Sequence, residues 1–229
     1  MSSEKNFQYL TLLSMLYGTI LQISVLLDYK FITIGSMVAS SSTFVISITF
    51  FLTDVIAEVY GYQRAKSVIF SGVISLLCFS LIGFVLQKLP TPDEYHQYAQ
   101  AYHVILNLLF RAGISNAIAI VIGALFNIYY VSKWKVILKG KYFWLRSLIS
   151  SAIGEAIYTI FVVFLVNVGV VSFTHFLQIL LISYSYKLVF DSFAIIPANL
   201  LVYFLKKKEN VDTFDFPKRI MPFTHENIF

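Results

Sequence analysis

Six apolar stretches, each near or above 20 residues, occupy most of the chain, and no other feature constrains its fold so tightly. A helix of about 20 residues crosses a hydrocarbon core of about 30 Å. Helices are expected at about 7–27, 43–60, 67–87, 103–131, 142–171 and 176–205, with a polar tail over 206–229. Only 13% of side chains are charged and 58% are hydrophobic, whereas a soluble domain carries about 25% charged. The expected fold class is an all-α membrane protein with one domain and six transmembrane helices.

The formal net charge of +5 would admit nucleic-acid binding if its basic residues formed a stripe on a soluble surface. They do not. Thirteen of the 17 Lys and Arg residues fall at the N-terminus, after helix two, around the turn from helix four to helix five, or after helix six. That places them on one side of a bilayer. The positive-inside rule then gives an N-in, C-in topology, with Lys30 and Lys88 outside and Arg111 and Lys187 within the helices. The first apolar run lacks a basic leader and a small-residue cleavage pattern, so it is read as a retained helix. One cysteine, Cys78, sits mid-helix and excludes an internal disulfide.

Two loops carry local signals. FITIGSMVASSS, residues 31–42, is too short and too rich in Ser and Gly for a span; it reads either as a cavity-lining irregular segment or as an outer loop. In LPTPDEYHQYAQAYH, Thr91, Pro92 and Glu94 match a capping box. A short surface helix is expected after it, with Tyr95, Tyr98 and Tyr102 facing the membrane interface.

Inside the helices lie Asp54, Glu58, Arg111, Glu155, Lys187 and Asp191. Each ionised residue costs about 2.5–3.5 kcal/mol at a helix centre, so they must pair, take up protons or face water. Asp54 and Glu58 are four apart, as are Lys187 and Asp191, and Asn107 and Arg111; each couple shares a helix face. Lys187 and Asp191 are expected to pair within their helix. Arg111 is the expected partner of the Asp54 and Glu58 couple, and Arg64 with Lys66 offers the alternative of capping salt bridges. With four acids and two bases, acceptors are in excess, which suits a ligand rich in hydrogen-bond donors or a cation. In SSAIGEAIYTIF, small residues surround Glu155 and allow close helix approach. The four histidines show no zinc spacing and no nucleophile with a base is evident, so an enzyme, a metal site and a cofactor are not expected.

The stretch FFLTDVIAEVYGYQRAKSVIF resembles the signature of bacterial queuosine precursor transporters, also described as a vitamin uptake transporter family. Thr53, Asp54, Glu58, Gly61, Arg64 and Lys66 carry the resemblance; SAIGEAIYTIF of helix five, with Lys187 and Pro197 of helix six, extends it. Tyr158 departs from the acidic residue expected there. The resemblance implies a fold similar to the substrate-binding component of energy-coupling-factor transporters. It also implies import of 7-deazaguanine bases for tRNA modification across the bacterial inner membrane. Substrate contacts are then expected from Asp54, Glu58, Asn107, Arg111, Glu155, Tyr158, Lys187 and Asp191: Glu58 or Glu155 on the donor edge of the base, Asp54 with Arg111 in support, and Asn107 or Lys187 on the ring carbonyl. Partners are the small-molecule base and the lipid bilayer, with a homo-oligomer possible, no nucleic acid, and no required ATPase module. The alternative is a vitamin-binding subunit that depends on such a module, docked through a pattern like Ser14 and Gly18.

Overall fold

The computed structural model describes residues 7–215 apart from 168 and 170. Its elements are α1 (Gln8–Leu26), β1 (Phe31–Ile34), β2 (Met37–Ser40), α2 (Thr43–Tyr60), α3 (Tyr62–Leu86), α4 (His96–Ile137), α5 (Phe143–Asn167) and α6 (Phe173–Glu209). All six helices are long and apolar enough to cross a membrane. Lys5, Lys218, Arg219 and the tail beyond 215, expected on the cytoplasmic side, lie outside the described residues.

α2 is the axis of the bundle. It packs against each of the other five helices, and fourteen of its 18 residues are buried. Its core runs through Ile46, Phe50, Val55, Ile56 and Val59, joined by Tyr17 and Leu21 of α1 and Ile120 and Ile128 of α4. The peripheral helices turn apolar side chains outward instead: Met15 is 69% exposed and Ile196 65% exposed. Such a surface suits hydrocarbon, where every backbone polar group is satisfied within its own helix.

Glycines set the closest helix approach. A Cβ on Gly123 would stand 2.7 Å from the Gly154 carbonyl oxygen, and one on Gly154 would stand 2.8 Å from the Gly123 oxygen. α4 and α5 therefore touch backbone to backbone, as small residues allow between membrane helices.

Three expectations are corrected here. First, the segment expected as an irregular stretch or an outer loop is ordered within the otherwise all-helical fold: residues 31–40 form an antiparallel hairpin in register Phe31 to Ser40. Gly35, at φ +61, opens its two-residue turn, a position that glycine fills without steric cost. Cross-strand bonds satisfy the facing backbone groups of the hairpin, so the segment is regular rather than irregular. Second, the surface helix and the fourth span are one element: α4 runs 42 residues without a break, since nothing in HQYAQAYH interrupts a helix. Third, the capping box is not formed. Asp93–Tyr95 makes a single 3₁₀ turn with no side-chain cap, and Asp93 instead meets His96 at 3.0 Å. α6 also extends past the expected boundary, to Glu209.

Candidate functional site

Two polar clusters lie within the bundle. The first sits where α2, α4 and α6 end and α5 begins. Glu58 accepts from Arg146 Nη1 at 3.0 Å and from Lys206 Nζ at 2.8 Å, and Lys135 Nζ lies 4.0 Å from its carboxylate. Lys135 also donates to the Glu58 carbonyl at 2.5 Å, to Asp212 at 2.5 Å and to the Thr213 carbonyl at 2.7 Å. Arg146 is held by the Val131 and Lys141 carbonyls, each at 3.0 Å. Left-handed backbone at Lys139, Gly140 and Tyr142 turns this loop around the guanidinium. One turn earlier on α2, Asp54 accepts from Asn127 at 2.6 Å, from Ser151 at 2.9 Å and from Ser147.

The chain after α6 folds back to complete this end. Thr213 N–H donates to the Val59 carbonyl at 3.1 Å, and the Asp215 carboxylate caps α3 through the amides of Tyr62 at 2.7 Å and Gln63 at 3.0 Å. An anion at a helix N-terminus meets orphan N–H groups and the positive end of the dipole. Asp212 lies outside the spans. Burial pushes its carboxyl up, but hydrogen bonds from Lys135 and Lys206 outweigh this and hold it below the ordinary value.

The second cluster lies toward the other end. A cavity of about 20 Å³ is lined by Asp28, Ser40, Ser42, Thr43, Ile46, Tyr158, Thr159, Val162, Asn167, Ser183 and Lys187, among others. That is space for about one water molecule, well below the roughly 300–1,000 Å³ of small-molecule sites. Lys187 Nζ donates to Thr159 Oγ1 at 2.7 Å and stands 4.3 Å from the centre of the Tyr158 ring. The Tyr158 hydroxyl donates to Asn116 Oδ1 at 2.6 Å, and Asn116 Nδ2 donates to Asp28 at 2.5 Å. Asp28 sits in the turn after α1, where burial pushes its carboxyl up to about 7 against the lowering effects of Ser42, Asn116 and Lys187.

Glu155 is the exception in this network. It is fully buried one turn before Tyr158 and Thr159, and its carboxylate makes no close hydrogen bond among the described residues, although the Ser47 hydroxyl of α2 lies near enough to interact with it. Asp191 Oδ2 is also without a partner among the described residues. Buried polar atoms are nearly always satisfied by protein groups or ordered water, which makes Glu155 the departure from that rule at this end of the bundle.

The expected residues are thus divided. Tyr158 and Lys187 line the cavity, Glu155 precedes Tyr158 by one turn outside the lining, and Asp191 follows Lys187 by one turn. Asp54 and Glu58 belong to the other cluster. Arg111 is not the partner of either: its guanidinium donates to the Leu165 carbonyl at 3.3 Å. It stands sixteen residues along α4 from Asn127, which binds Asp54, or about 24 Å at 1.5 Å per residue. Asn107 bonds Gln87 at 3.1 Å and the His103 carbonyl at 2.8 Å, outside the cavity lining. The expected Lys187 and Asp191 ion pair is replaced by the bond to Thr159. Arg64 does not cap Glu58 either, since it donates to the Tyr60 carbonyl at 3.0 Å and lies over the Phe7 ring.

Sequence reasoning missed Arg146, Lys135 and Lys206 because residues near helix ends were assigned to the water on the basic side. It missed Asp28 as an outer-loop residue and passed over two amides. Asn116 and Asn127 are eleven residues apart, three helical turns, so the shared face that holds both clusters together was present in the spacing.

No curated protein and no solved structure matches the chain. The sequence profile of a family described as "Putative vitamin uptake transporter" matches residues 40–202, well over half of the 229 residues, and takes in Asp54, Glu58, Glu155 and Lys187 but not Asp28, Lys206 or Asp212. With six helices fit to cross a bilayer around buried polar clusters, this multi-pass membrane protein belongs to the vitamin uptake transporter family.

Proposed function

We propose that the chain imports 7-deazaguanine bases, precursors of the tRNA nucleoside queuosine, across the bacterial cytoplasmic membrane with both termini inside. The observation that carries this reading is the buried Glu155 carboxylate, which makes no close hydrogen bond among the described residues and lies one turn before Tyr158 and Thr159 of the cavity wall. A deazaguanine offers adjacent N–H donors on its pairing edge, which such a carboxylate accepts in bidentate fashion. Lys187 donates to the ring carbonyl in place of its bond to Thr159, and the Tyr158 ring supplies an apolar wall. Glu58 does not take the donor edge, because Arg146 and Lys206 already occupy both of its oxygens.

Charge-assisted pairing of this kind rejects ligands that lack the donors, by roughly 10⁴–10⁵ where the site is built for them. The test is queuosine in the tRNA of a host that neither makes nor imports the precursors, expressing this chain and supplied with each base in turn. Restoration by one base, lost in Glu155→Ala, is the expected result. Failure of every base, with the protein confirmed in the membrane, overturns the reading and favours a vitamin-binding subunit that needs an ATPase module.

A further inference from the structure

Where α2, α5 and α6 pack against one another, they enclose a second cavity of about 10 Å³. Asp54 of α2, Ser147 and Ser151 of α5, and Asp191, Ala194 and Ala198 of α6 line it, and apolar side chains close the rest. The spacing makes the gap. Ser147 and Ser151 are one turn apart on α5, as Ala194 and Ala198 are on α6, so small side chains from two facing helices leave room that two carboxylates border. That room takes one particle about the size of a water molecule or smaller.

Every polar group around it is an acceptor. Asp54 Oδ1 accepts from Asn127 at 2.6 Å, and Oδ2 accepts from Ser151 at 2.9 Å and from Ser147. Both hydroxyls have thus given their protons to Asp54, and their oxygens keep lone pairs. Asp191 fares worse. It is only 7% exposed, and its Oδ2 has no hydrogen-bond partner among the described residues. Lys187, one turn earlier on α6, does not supply one, because its Nζ donates to Thr159 at 2.7 Å, lies over the Tyr158 ring and borders the other cavity. A buried carboxylate left in that state is costly.

The occupant must therefore bring positive charge to oxygen ligands. A water molecule could donate two protons, but it would leave two carboxylates facing each other in a medium of low dielectric. Nitrogen and sulfur ligands, which transition metals select, are absent from the described lining. Calcium takes six to eight oxygens and magnesium keeps several of its waters, and this space has room for neither. A small monovalent ion fits. We infer that the cavity is a sodium site, with Asp54, Asp191 and the hydroxyls of Ser147 and Ser151 as its ligands. The ion joins α2, α5 and α6 at one point and offsets the repulsion between the two acids.

The experiment uses the purified full chain in detergent, with radiolabelled sodium for binding and thermal melts in sodium, potassium or choline chloride at equal ionic strength. An ion that binds only the folded chain raises its melting temperature as its concentration rises. Wild type should retain labelled sodium and melt higher in sodium than in either other salt. Asp191→Asn orphans no donor, so it should fold, bind sodium about tenfold or more weakly, and lose the advantage that sodium gives. Ser151→Ala should weaken binding by less, and it decides the matter if Asp191→Asn fails to fold. Wild-type melts equal in all three salts, with no labelled sodium retained, would overturn the assignment and leave water or a shared proton between the acids. Sodium binding undiminished in both variants would overturn it too, by placing the ion elsewhere. None of these readouts involves a 7-deazaguanine, so the sodium site and the proposed function fail separately.

Discussion

The Glu58 and Glu155 clusters use the same materials, a buried acid among Ser, Asn and basic side chains, yet one is complete and the other is not. Around Glu58 both carboxylate oxygens carry a cation, the cations are held by carbonyls, and the chain after α6 closes over the top. Around Glu155 the nearby Lys187 spends its hydrogen bond on Thr159, and among the described residues the carboxylate has only the Ser47 hydroxyl near it. A complete buried network gives rigidity and a single packing arrangement, whereas an incomplete one is suited to receive something. The difference teaches that a buried acid in a membrane helix must be judged by its partners before a function is assigned to it.

The largest expected effect breaks the comparison at its closed end. Glu58→Ala leaves Arg146 buried and unpaired, and removing one partner of a buried ion pair costs about 3–5 kcal/mol. Most of the protein should then fail to fold, which fluorescence-detected size exclusion and thermal melts in detergent will show. Glu155→Ala removes an acid that has no partner to orphan, so its melting temperature should match or exceed that of wild type. Its loss should appear in binding instead: about 3 kcal/mol for a bidentate charged contact, or roughly 100-fold in Kd. If Glu155→Ala melted as low as Glu58→Ala, the two clusters would not differ in kind.

This distinction was only half legible in the sequence. Length and apolarity were enough to place six spans, because a hydrophobic run needs no context to demand a bilayer. Glu155 stood out for the same reason, as a charge inside an apolar helix with small neighbours. The roles of Asp54 and Glu58 were not legible, because their partners come from α4, α5 and α6, brought together only by folding. Lys135 and Arg146 looked like ordinary cytoplasmic anchors. They sit near helix ends, where a one-dimensional reading cannot separate a lysine in water from one turned inward. The hairpin at 31–40 was equally hidden, since four-residue strands are too short for periodicity to declare them.

A smaller effect sharpens how the closed end is closed. Gly61 joins α2 to α3 at φ +91, and a Cβ there would stand 2.7 Å from Asp215 Oδ1 and 2.8 Å from Thr213 Cγ2. Gly61→Ala combines backbone strain of about 1–3 kcal/mol with displacement of the segment that caps α3. The expected outcome is a lowered melting temperature together with faster proteolysis after α6. Proteolysis unchanged from wild type would mean that the strap is not held by its contact with Gly61.

The open end should show its incompleteness as a pH dependence. Asp28 has a folded pKa raised to about 7 from 3.8. A raised acid binds its proton more tightly in the folded state, so its contribution to stability is present below pH 4 and is lost as pH rises through 7. Melts of wild type and Asp28→Asn across that range should converge in slope only above neutrality. A wild-type curve no steeper than that of Asp28→Asn between pH 4 and 7 would place Asp28 in water rather than in the cavity wall.

The smallest effect has the opposite sign and comes from the rim of the closed cluster. Asp212 is held below its ordinary value by Lys135 and Lys206, so its contribution is present at neutral pH and disappears as pH falls below the usual carboxylate range. Its side chain is 42% exposed, which makes it a screened pair of the kind worth about 0–1 kcal/mol. Asp212→Asn should therefore lower the melting point slightly at pH 7 and progressively less as pH falls below the usual carboxylate range, with most of the difference removed by high salt. A loss as large as that of Glu58→Ala would show that the strap, rather than the Glu58 and Arg146 pair, is what holds the closed end together.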